Sequence, residues 1–333
     1  MKSHRIAVLG AGAWGTALSI IWAREGHAIT LWGQKESRIE ELRNSRQNKA
    51  YLPGVALAET VGLTSDLRIC TDVDLIAFVT RSTALRETLS RLKQLSINSA
   101  TVLLSCVKGI EHRSGRRMSE ILTETFPHNP VAVLSGPNLA TEVSRGLPTA
   151  TVVASTNRDC TAELQHSLGT QRFRIYTSDD LAGIELGGAL KNIFAIAAGA
   201  GDGLGLGDNS KAALVTRALA EMVRLGTRMG GELQTFYGLS GAGDLIATCF
   251  SQHSRNRRTG EQLANGRSLD EIASITGTVA EGIPTAKSAY ECARRLGVQT
   301  PIIDQVYSLL YEGKPPAQAV EELLKREQKA ETI

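Results

Sequence analysis

Short apolar runs alternate with amphipathic stretches over the first half of the chain. The runs predict strands, and the stretches between them, whose apolar positions are three and four residues apart, predict helices. Predicted strands lie at 5–9, 28–32, 75–79, 101–105, 131–134, 149–154 and 172–176, and predicted helices lie at 16–24, 84–95, 114–125, 139–144 and 158–168. Nearly continuous apolar strands separated by helices indicate a parallel sheet covered on both faces.

A glycine-rich turn connects the first predicted strand to the first predicted helix. Gly10, Gly12 and Gly15 form the pattern G-x-G-x-x-G, with Ala13 and Trp14 between the last two glycines. Within a strand-helix-strand unit, these glycines permit a tight turn and the close approach of a pyrophosphate to the helix N-terminus. The sequence therefore predicts an α/β fold with a Rossmann-like parallel sheet that binds a dinucleotide.

The residues after the second predicted strand bear on the choice of coenzyme. An NAD-selective site usually has an acidic residue here that holds the ribose 2′-hydroxyl. In this chain Gln34 and Lys35 follow the strand, the first acid is Glu36, and Arg38 comes a little later. Because a neutral and basic rim can accept a 2′-phosphate, we favour NADP(H), with NAD(H) possible. The alternative is that Lys35 and Arg38 are solvated residues at a helix start.

From residue 181 onward the pattern is helical only. Predicted helices lie at 181–200, 212–229, 260–264, 269–275, 285–296, 302–311 and 317–327, and Ser268 and Glu271 have capping-box spacing. The change of pattern divides the chain into a dinucleotide-binding Rossmann-like domain at 1–180 and an all-helical C-terminal domain that binds the substrate at 181–333.

The helix predicted at 181–200 carries Lys191 and Asn192 on an otherwise apolar segment. Gly187, Gly188 and Ala195 lie one turn from Lys191 and leave room for a ligand or another backbone. One interpretation is a lysine whose stem packs on apolar surface while its head reaches water. The other is a partly desolvated amine that acts as a base. The helix lies at the predicted domain boundary, a usual place for a small-molecule site.

Two polar loops follow predicted strands, and two polar segments open predicted helices. Residues 105–109, which include Lys108, and residues 135–138 follow strands, where parallel sheets collect ligands. Asp244 begins an apolar helix, either as a helix cap or as an acid of the site.

Arginines cluster at the start of the helical stretch that follows Ser254. They oppose the helix dipole there, which indicates an anion such as phosphate bound by the arginines and the backbone amides. A solvated basic face is the alternative, and Arg257 and Arg258 fit that surface role better than Arg255.

Composition narrows the class of protein. The chain has 333 residues, 42% of them apolar and 21% charged, as expected of a soluble two-domain protein. A net charge of +3 and 5% aromatic residues argue against a nucleic-acid partner. We expect no membrane span and no secretion signal, and hence a cytoplasmic protein. Five scattered cysteines and six unclustered histidines indicate neither a disulfide framework nor a metal site.

Seven segments together resemble the family of bacterial NAD(P)-dependent sn-glycerol-3-phosphate dehydrogenases, and the resemblance extends over essentially the whole chain. The segments are GAGAWGTALS, SCVKGIE, SGPNLATEVSRGLPTA, ELGGALKNIFAIAAGAGDGLGLGDN, GLSGAGDLIATC, SRNRRTG and VAEGIPT. The resemblance implies interconversion of sn-glycerol 3-phosphate and dihydroxyacetone phosphate by a cytoplasmic homodimer, chiefly in the direction that supplies phospholipid synthesis.

The same resemblance implies roles for individual residues. Lys191 would accept the proton of the C2 hydroxyl, or donate it to the ketone during reduction, and Asp244 would orient either the substrate or this lysine. The implied substrate-binding residues are Lys108, Gly136, Asn138, Lys191, Asp244, Ser254, Arg255 and Asn256. The implied cofactor-binding residues are Gly10, Gly12, Ala13, Trp14, Gly15, Gln34, Lys108, Ala140, Arg255, Val279 and Glu281. Ala13 and Gln34 depart from the commoner family pattern of serine and of histidine or arginine.

Two rival classes stay open from the residues alone. One is a dehydrogenase of the same architecture that acts on a 3-hydroxy acid or a sugar acid, in which the arginines would bind a carboxylate. The other is a nucleotide-sensing protein that binds NADPH without turnover.

Overall fold

The computed structural model describes residues 3–276, 279–327 and 330–331. Within these ranges, eight strands form one sheet in the order β3-β2-β1-β4-β5-β6-β7-β8. The strands are β1 (Arg5–Leu9), β2 (Ala28–Trp32), β3 (Gly62–Thr64), β4 (Leu75–Phe78), β5 (Val102–Ser105), β6 (Val131–Ser135), β7 (Thr149–Ala154) and β8 (Phe173–Ser178).

Six α-helices accompany the strands, and apolar clusters cover both faces of the sheet. The helices are α1 (Ala13–Arg24), α2 (Glu36–Ser45), α3 (Leu85–Leu92), α4 (Met118–Thr125), α5 (Ala140–Ser144) and α6 (Arg158–Leu168). Successive residues of the central strands alternate between two clusters, Val8 in one and Leu9 in the other. Burial on both faces explains why the strands are nearly continuous apolar runs.

The prediction of a Rossmann-like parallel sheet is confirmed for most of the sheet, and the exception is β7, which pairs with β6 in antiparallel register. Strands β7 and β8 are parallel to each other. A parallel return along a five-residue strand covers about 17 Å and takes about eleven residues of helix. The helix in this connection, α5, has five residues, so the chain turns back instead. The apolar pattern of β7 is the same in either direction and could not reveal this.

Several other elements differ from the sequence-based expectation. The short strand β3 and the helix α2 were not expected, because β3 has three residues and α2 is mostly polar. Helix α4 begins at Met118 rather than near residue 114.

The second half of the chain is helical, as expected. Its α-helices are α7 (Leu181–Gly203), α8 (Gly207–Arg228), α9 (Asp244–Phe250), α10 (Arg255–Ala264), α11 (Leu269–Thr276), α12 (Gly282–Leu296), α13 (Pro301–Tyr311) and α14 (Pro316–Leu324). The capping box predicted before α11 is confirmed, since Ser268 N donates to Glu271 Oε2 at 2.7 Å and Glu271 N donates to Ser268 Oγ at 3.3 Å.

Helix α7 forms the centre of the second apolar core. Leu186, Leu190, Ile193 and Phe194 are fully buried in it. Among the described residues, α7 is the one helix long and apolar enough to span a membrane by length and composition, and 83% of its most apolar window is buried inside the protein. The sequence analysis expected no apolar run as long as a membrane span, so the length of α7 differs from that expectation. Its burial inside the protein is typical of a core helix.

The chain divides into two compact units. The sheet unit comprises the chain up to Lys108 together with Arg117–Leu181, and the helical unit comprises Gly109–Arg116 and the chain from Ala182 onward. The short segment Gly109–Arg116 is tied to α12 within the helical unit, where His112 Nδ1 lies 3.3 Å from Glu291 Oε2.

Candidate active site

The glycine-rich turn between β1 and α1 is built for close approach of the backbone. A Cβ on Gly10 would lie 2.5 Å from Val79 O, and one on Gly15 would lie 2.0 Å from Gly10 O. A Cβ on Gly12 would meet no atom within 4 Å, so the space over this residue is open. Among the described residues, no side chain caps the N-terminus of α1. Open space over uncapped amides fits the pyrophosphate of a dinucleotide.

Lys108, Gly136 and Asn138 come together at the carboxyl ends of β5 and β6. Lys108 Nζ donates a hydrogen bond to Gly136 O at 2.9 Å. Asn138 Nδ2 donates to Thr151 Oγ1 at 3.0 Å, while its Oδ1 is buried without a hydrogen-bond partner. A Cβ on Gly136 would lie 2.9 Å from Thr151 Cα, so the strand end packs directly on β7.

Two further hydroxyls lie at strand ends on this edge: Ser135 ends β6 and belongs to the polar loop 135–138 named from the sequence, whereas Thr80, two residues after β4, was not predicted. Thr80 Oγ1 and Ser135 Oγ are buried and have no hydrogen-bond partner in the structure. Buried polar atoms in proteins are nearly always hydrogen-bonded, so these unpaired atoms fit a polar ligand. The signal available in the sequence was a hydroxyl residue immediately after an apolar run.

Glu36, the acid nearest the end of β2, is bound by neighbouring side chains. Glu36 begins α2, its Oε1 accepts a hydrogen bond from Arg43 at 2.8 Å, and it also binds Ser65. The hydrogen bonds from Ser65 and Arg43 lower the pKa of Glu36. Gln34 Nε2 donates to Glu87 Oε1 at 3.1 Å. Gln34 has no carboxylate, and the carboxylate of Glu36 is already bound, so neither residue offers a free acid to a ribose.

Lys35 and Arg38 differ in their surroundings. Lys35 is exposed. Arg38 is half-buried, lies 4.8 Å from the centre of the Tyr51 ring and pairs with Glu41 at 3.3 Å. The rim after β2 therefore carries an exposed lysine and a half-buried arginine beside Glu36, whose carboxylate is paired with Arg43.

The remaining residues expected at the cofactor lie at helix starts. Ala13 and Ala140 are the first residues of α1 and α5, and the indole of Trp14 packs 6.3 Å from the Phe173 ring. In the helical unit, Val279 is 42% exposed. Glu281 immediately precedes α12, and its carbonyl accepts a hydrogen bond from Thr285 Oγ1 at 2.6 Å.

Lys191 lies in the middle of α7 with its amine in a buried polar cluster. Nζ lies 2.8 Å from Asp244 Oδ1 and 2.6 Å from Thr248 Oγ1. The Lys191 side chain is 9% exposed and that of Asp244 is 2% exposed. A buried ion pair is stabilising only when hydrogen bonds complete it, and Thr248 supplies one. This geometry favours the interpretation of a partly desolvated amine over a lysine head in water.

A π-helical turn places Asp244 against the lysine. Residues Leu239–Gly243 form this turn and continue directly into α9, so Asp244 lies inside a helical segment and is not an N-cap. A Cβ on Gly187 would lie 2.8 Å from Ser240 O, which confirms that this glycine lets another backbone approach α7. Such turns often occur at functional sites.

Thr248 is the residue of this cluster that the sequence analysis missed. It lies four residues after Asp244, on the same face of α9, and Thr248 Oγ1 lies 3.3 Å from Asp244 Oδ1. The i, i+4 spacing was the available signal.

Asn192 and Asn256 form a second buried polar cluster. Asn256 Nδ2 donates to Asn192 Oδ1 at 2.8 Å, and Gly282 N donates to Asn256 Oδ1 at 2.8 Å. The Asn256 side chain thus joins α7 to the N-terminus of α12. The resemblance implies that Asn256 binds the substrate, whereas here its oxygen and one of its donors are used within the protein.

The three arginines of α10 have different surroundings. Arg255, the first residue of α10, and Arg258 are exposed. Arg257 is half-buried, with Nε 2.5 Å from Asp202 Oδ2, so the expectation that it belongs to the solvated surface is wrong. Ser254 caps the helix, its Oγ accepting from Arg257 N at 3.2 Å.

The chemistry of the helical unit rests on amine, carboxylate and hydroxyl groups. Burial raises the pKa of the Cys249 thiol to about 12, although the Lys191 charge lowers it, so this neighbour of Thr248 stays protonated. All five cysteines are free and buried. Within the described ranges, no group of three or more His, Cys, Asp or Glu side chains could hold a metal ion.

Two family models match the chain in succession. The model of the NAD-dependent glycerol-3-phosphate dehydrogenase N-terminus matches residues 5–161, and that of the C-terminus matches residues 180–321. The chain belongs to the NAD-dependent glycerol-3-phosphate dehydrogenase family. This confirms the resemblance read from the seven sequence segments.

Individual members of the glycerol-3-phosphate dehydrogenase family match nearly end to end. A protein named glycerol-3-phosphate dehydrogenase (NAD(P)+) from Desulfitobacterium hafniense is 44% identical, covering 98% of this chain and 93% of its own length. One of the same name from Chlorobium phaeobacteroides is 46% identical, covering 98% and 99%. The crystal structure of glycerol-3-phosphate dehydrogenase from Coxiella burnetii superposes with a TM-score of 0.94 at 41% identity, covering 97% of this chain and 99% of that one.

More distant structures share the fold alone. A PanE/ApbA family ketopantoate reductase from Ralstonia eutropha superposes with a TM-score of 0.61 at 15% identity. The sheet with its helical partner unit is therefore a wider architecture than the glycerol-3-phosphate dehydrogenase family.

Proposed function

We propose that this chain is an oxidoreductase that interconverts sn-glycerol 3-phosphate and dihydroxyacetone phosphate with NAD(P)(H), mainly reducing dihydroxyacetone phosphate for glycerophospholipid synthesis. The observation that carries the proposal is the buried Lys191-Asp244-Thr248 cluster in a chain of this family. A dehydrogenase needs a group that supplies a proton to the alkoxide as it forms, and an amine held by a carboxylate provides one.

Lys191 is the proposed acid and base of the reaction. During reduction, Lys191 Nζ gives a proton to the C2 oxygen of the ketone, and during oxidation it takes the proton of the C2 hydroxyl. When bound, the reduced nicotinamide supplies the hydride. Asp244 Oδ1 and Thr248 Oγ1 contact Nζ at 2.8 and 2.6 Å, and these two contacts fix the position of the amine.

Donors in the sheet unit suit the oxygen on which charge develops. Lys108 carries an ammonium and Asn138 a side-chain amide, and both lie at the carboxyl edge of the sheet. We propose that they polarise the substrate carbonyl. Their existing hydrogen bonds, to Gly136 O and Thr151 Oγ1, fix the side chains in place before a ligand arrives.

The substrate phosphate is proposed to bind at the start of α10. Arg255 is exposed there, at a helix N-terminus whose backbone amides favour an anion. Binding of the phosphate, which is remote from the reacting carbon, restricts the motion of the alcohol and so favours a reactive pose. Asn256 is proposed to help by holding its part of α10 in place, since its side chain already binds Asn192 and Gly282 N.

NADP(H) is the proposed preferred coenzyme, with NAD(H) also accepted. The names of the relatives fit both coenzymes. The support for the preference is the rim after β2, where Glu36 is bound to Arg43 and Lys35 is exposed. A free acid would repel a 2′-phosphate, whereas the charge of Glu36 is offset by Arg43.

One assay tests the proposed reaction and its rivals together. The purified chain is mixed with NADPH or NADH and each of dihydroxyacetone phosphate, ketopantoate and a 3-keto acid, and the absorbance of the reduced nicotinamide is followed. We expect oxidation with dihydroxyacetone phosphate and a higher kcat/KM for NADPH than for NADH. Oxidation with a carboxylated ketone alone, or binding of NADPH without oxidation, would contradict the proposal.

A cytoplasmic homodimer is proposed for the assembled enzyme, on the resemblance to the bacterial family. Light scattering coupled to size-exclusion chromatography should give twice the chain mass of 35.7 kDa. A mass of one chain at enzyme-assay concentrations would contradict the dimer.

A further inference from the structure

Two charged residues of the helical unit, Asp202 and Arg257, lie at helix ends where they oppose the helix dipole, and Lys211 pairs with Asp202. Asp202 is in the last turn of α7, and Arg257 is in the first turn of α10. An acid at a helix C-terminus and a cation at an N-terminus are each unfavourable. Lys211 lies early in α8. Because these positions are electrostatically unfavourable, we expect the three residues together to have a function.

These three residues form one compact ion cluster. Asp202 Oδ2 lies 2.8 Å from Lys211 Nζ and 2.5 Å from Arg257 Nε, and Asp202 Oδ1 accepts a second bond from Lys211 at 2.9 Å. The side chains of Lys211, Arg257 and Asp202 are 10%, 13% and 20% exposed. Arg257 also lies 3.6 Å from Glu261. The carboxylate of Asp202 therefore joins α7, α8 and α10.

Helices α7 and α10 touch through their backbones beside this cluster. A Cβ on Gly199 would lie 1.8 Å from Arg257 O, and one on Gly260 would lie 1.9 Å from Ile196 O. Backbones this close to each other leave no room for adjustment by side chains. The backbone contact and the ion cluster therefore both act on the stretch of α10 that begins at Arg257, close to its N-terminus.

Two polar contacts fix α10 on α7. One joins Asn256 to Asn192, the neighbour of Lys191, and the other joins Arg257 to Asp202. Asn192 and Asp202 are about 15 Å apart along α7 by helix rise. Contacts at two separated points restrict both the distance and the angle of the N-terminus of α10, the segment that carries Arg255.

We propose that Asp202, held by Lys211, is a positioning residue that sets the N-terminus of α10 for the phosphate of the substrate. The inference rests on the proposed function, in which Arg255 and the α10 amides bind that phosphate. Asp202 acts through Arg257 and does not touch the substrate.

Position and charge predict opposite results when Asp202 is neutralised. Asp202→Asn removes a negative charge near a phosphate site, and by charge alone it would strengthen anion binding and lower KM. If Asp202 acts by positioning, the displaced α10 binds the phosphate less well and KM rises. A displacement of about 1 Å at a distance from the reacting atoms can cost up to about 100-fold, so the positioning effect should exceed the screened effect of one charge.

The experiment compares the steady-state kinetics of four proteins: wild type, Asp202→Asn, Arg257→Gln and the control Glu221→Gln. Glu221 is also a buried acid of the helical unit, but it joins α8 to α13 through Ile302 N and Ile303 N. For Asp202→Asn we expect KM for dihydroxyacetone phosphate to rise about tenfold, kcat to stay near the wild-type value, and kcat/KM for unphosphorylated dihydroxyacetone to be unchanged. Arg257→Gln should give the same pattern, and Glu221→Gln should leave KM unchanged.

Each other outcome counts against the inference. An unchanged or lower KM in Asp202→Asn, or an equal loss with both ketones, overturns the positioning role. If Asp202→Asn does not fold, Arg257→Gln and Asp202→Glu provide the same readout, and Asp202→Glu should have an intermediate KM. A wild-type chain that does not reduce dihydroxyacetone phosphate at all would overturn the proposed function together with this inference.

Discussion

The sheet unit and the helical unit present their functional groups in two different ways. In the sheet unit the turn at Gly10, Gly12 and Gly15 offers backbone amides and open space, and side chains are absent where the ligand is expected. In the helical unit the functional groups are buried side chains, with Lys191 and Asp244 paired at 2.8 Å. Recognition by backbone needs only the absence of a Cβ, whereas a buried charge needs partners from elsewhere in the chain.

This difference determines how each unit should fail. A substitution at Gly10 or Gly15 adds a Cβ where none fits, so it should damage the fold and coenzyme binding together. A substitution at Lys191 removes a reacting group, so it should damage turnover while the sheet unit and its coenzyme binding persist.

Lys191→Ala should reduce kcat by about 100- to 10,000-fold, the usual contribution of a general acid or base. It should leave the dissociation constant of NADPH, measured by fluorescence titration, close to the wild-type value. The variant also leaves Asp244 buried without its cation, so circular dichroism should first confirm that it is folded. A loss of NADPH binding equal to the loss of turnover would remove the contrast between the units.

Gly10→Ala should destabilise the sheet unit by about 3 kcal/mol or more and abolish NADPH binding, because its Cβ would meet Val79 O. Gly26→Ala is the matched control. Gly26 also has a positive φ, of 85°, but a Cβ there would meet no atom within 4 Å. The control should lose only about 1 to 2 kcal/mol and still bind NADPH. Thermal unfolding and fluorescence titration measure both effects, and equal losses in the two variants would refute the steric explanation.

Arg255→Ala should raise KM for dihydroxyacetone phosphate by about 30- to 100-fold, since a guanidinium is a strong phosphate donor. Arg258→Ala, three residues along the same helix and also exposed, should leave KM near wild type. Steady-state kinetics of the two variants, each normalised to wild type, compares them directly. A similar KM for Arg255→Ala and wild type would place the phosphate elsewhere.

The smallest effect concerns stability rather than chemistry. Burial raises the pKa of Glu221 to about 7, although hydrogen bonds from Ile302 N and Ile303 N lower it. Because the folded state then holds a proton that the unfolded state releases above about pH 4.5, stability should fall as pH rises from about 4.5 to 7. The size of the fall between pH 5 and 7 is about 2 kcal/mol.

Glu221→Gln cannot ionise, so its free energy of unfolding should lack this part of the pH dependence. Denaturant unfolding at pH 5, 6 and 7 measures the slope for both proteins. Parallel slopes in the variant and wild type would show that Glu221 does not carry the pH dependence.

The parts of this molecule that depend on local pattern were predicted from the sequence, and the parts that depend on pairing across the chain were not. The glycine spacing located the turn after β1, and apolar periodicity located α7 with Lys191. The i, i+4 spacing placed Thr248 on the same face as Asp244, but its contact with Lys191 could not be predicted, because no local pattern shows that α9 packs against α7. The direction of β7 could not be predicted for a similar reason, since a strand buried on both faces has the same apolar pattern in either direction.

For the charged residues too, the local pattern was predicted and the pairing across the chain was not. The arginines after Ser254 were recognised as unusual for a helix start, but Arg257 was expected at the surface. Its partner Asp202 is 55 positions away in the chain, and the pair forms only because glycines let α7 and α10 touch.

Chemical rescue of Lys191→Ala tests the central claim most directly. The variant is assayed with dihydroxyacetone phosphate and NADPH in the presence of small primary amines of graded basicity but similar size. We expect turnover to recover in proportion to amine concentration and to vary with amine basicity, because the added amine replaces the missing proton donor at Nζ. Turnover at the wild-type level without any amine would contradict the account.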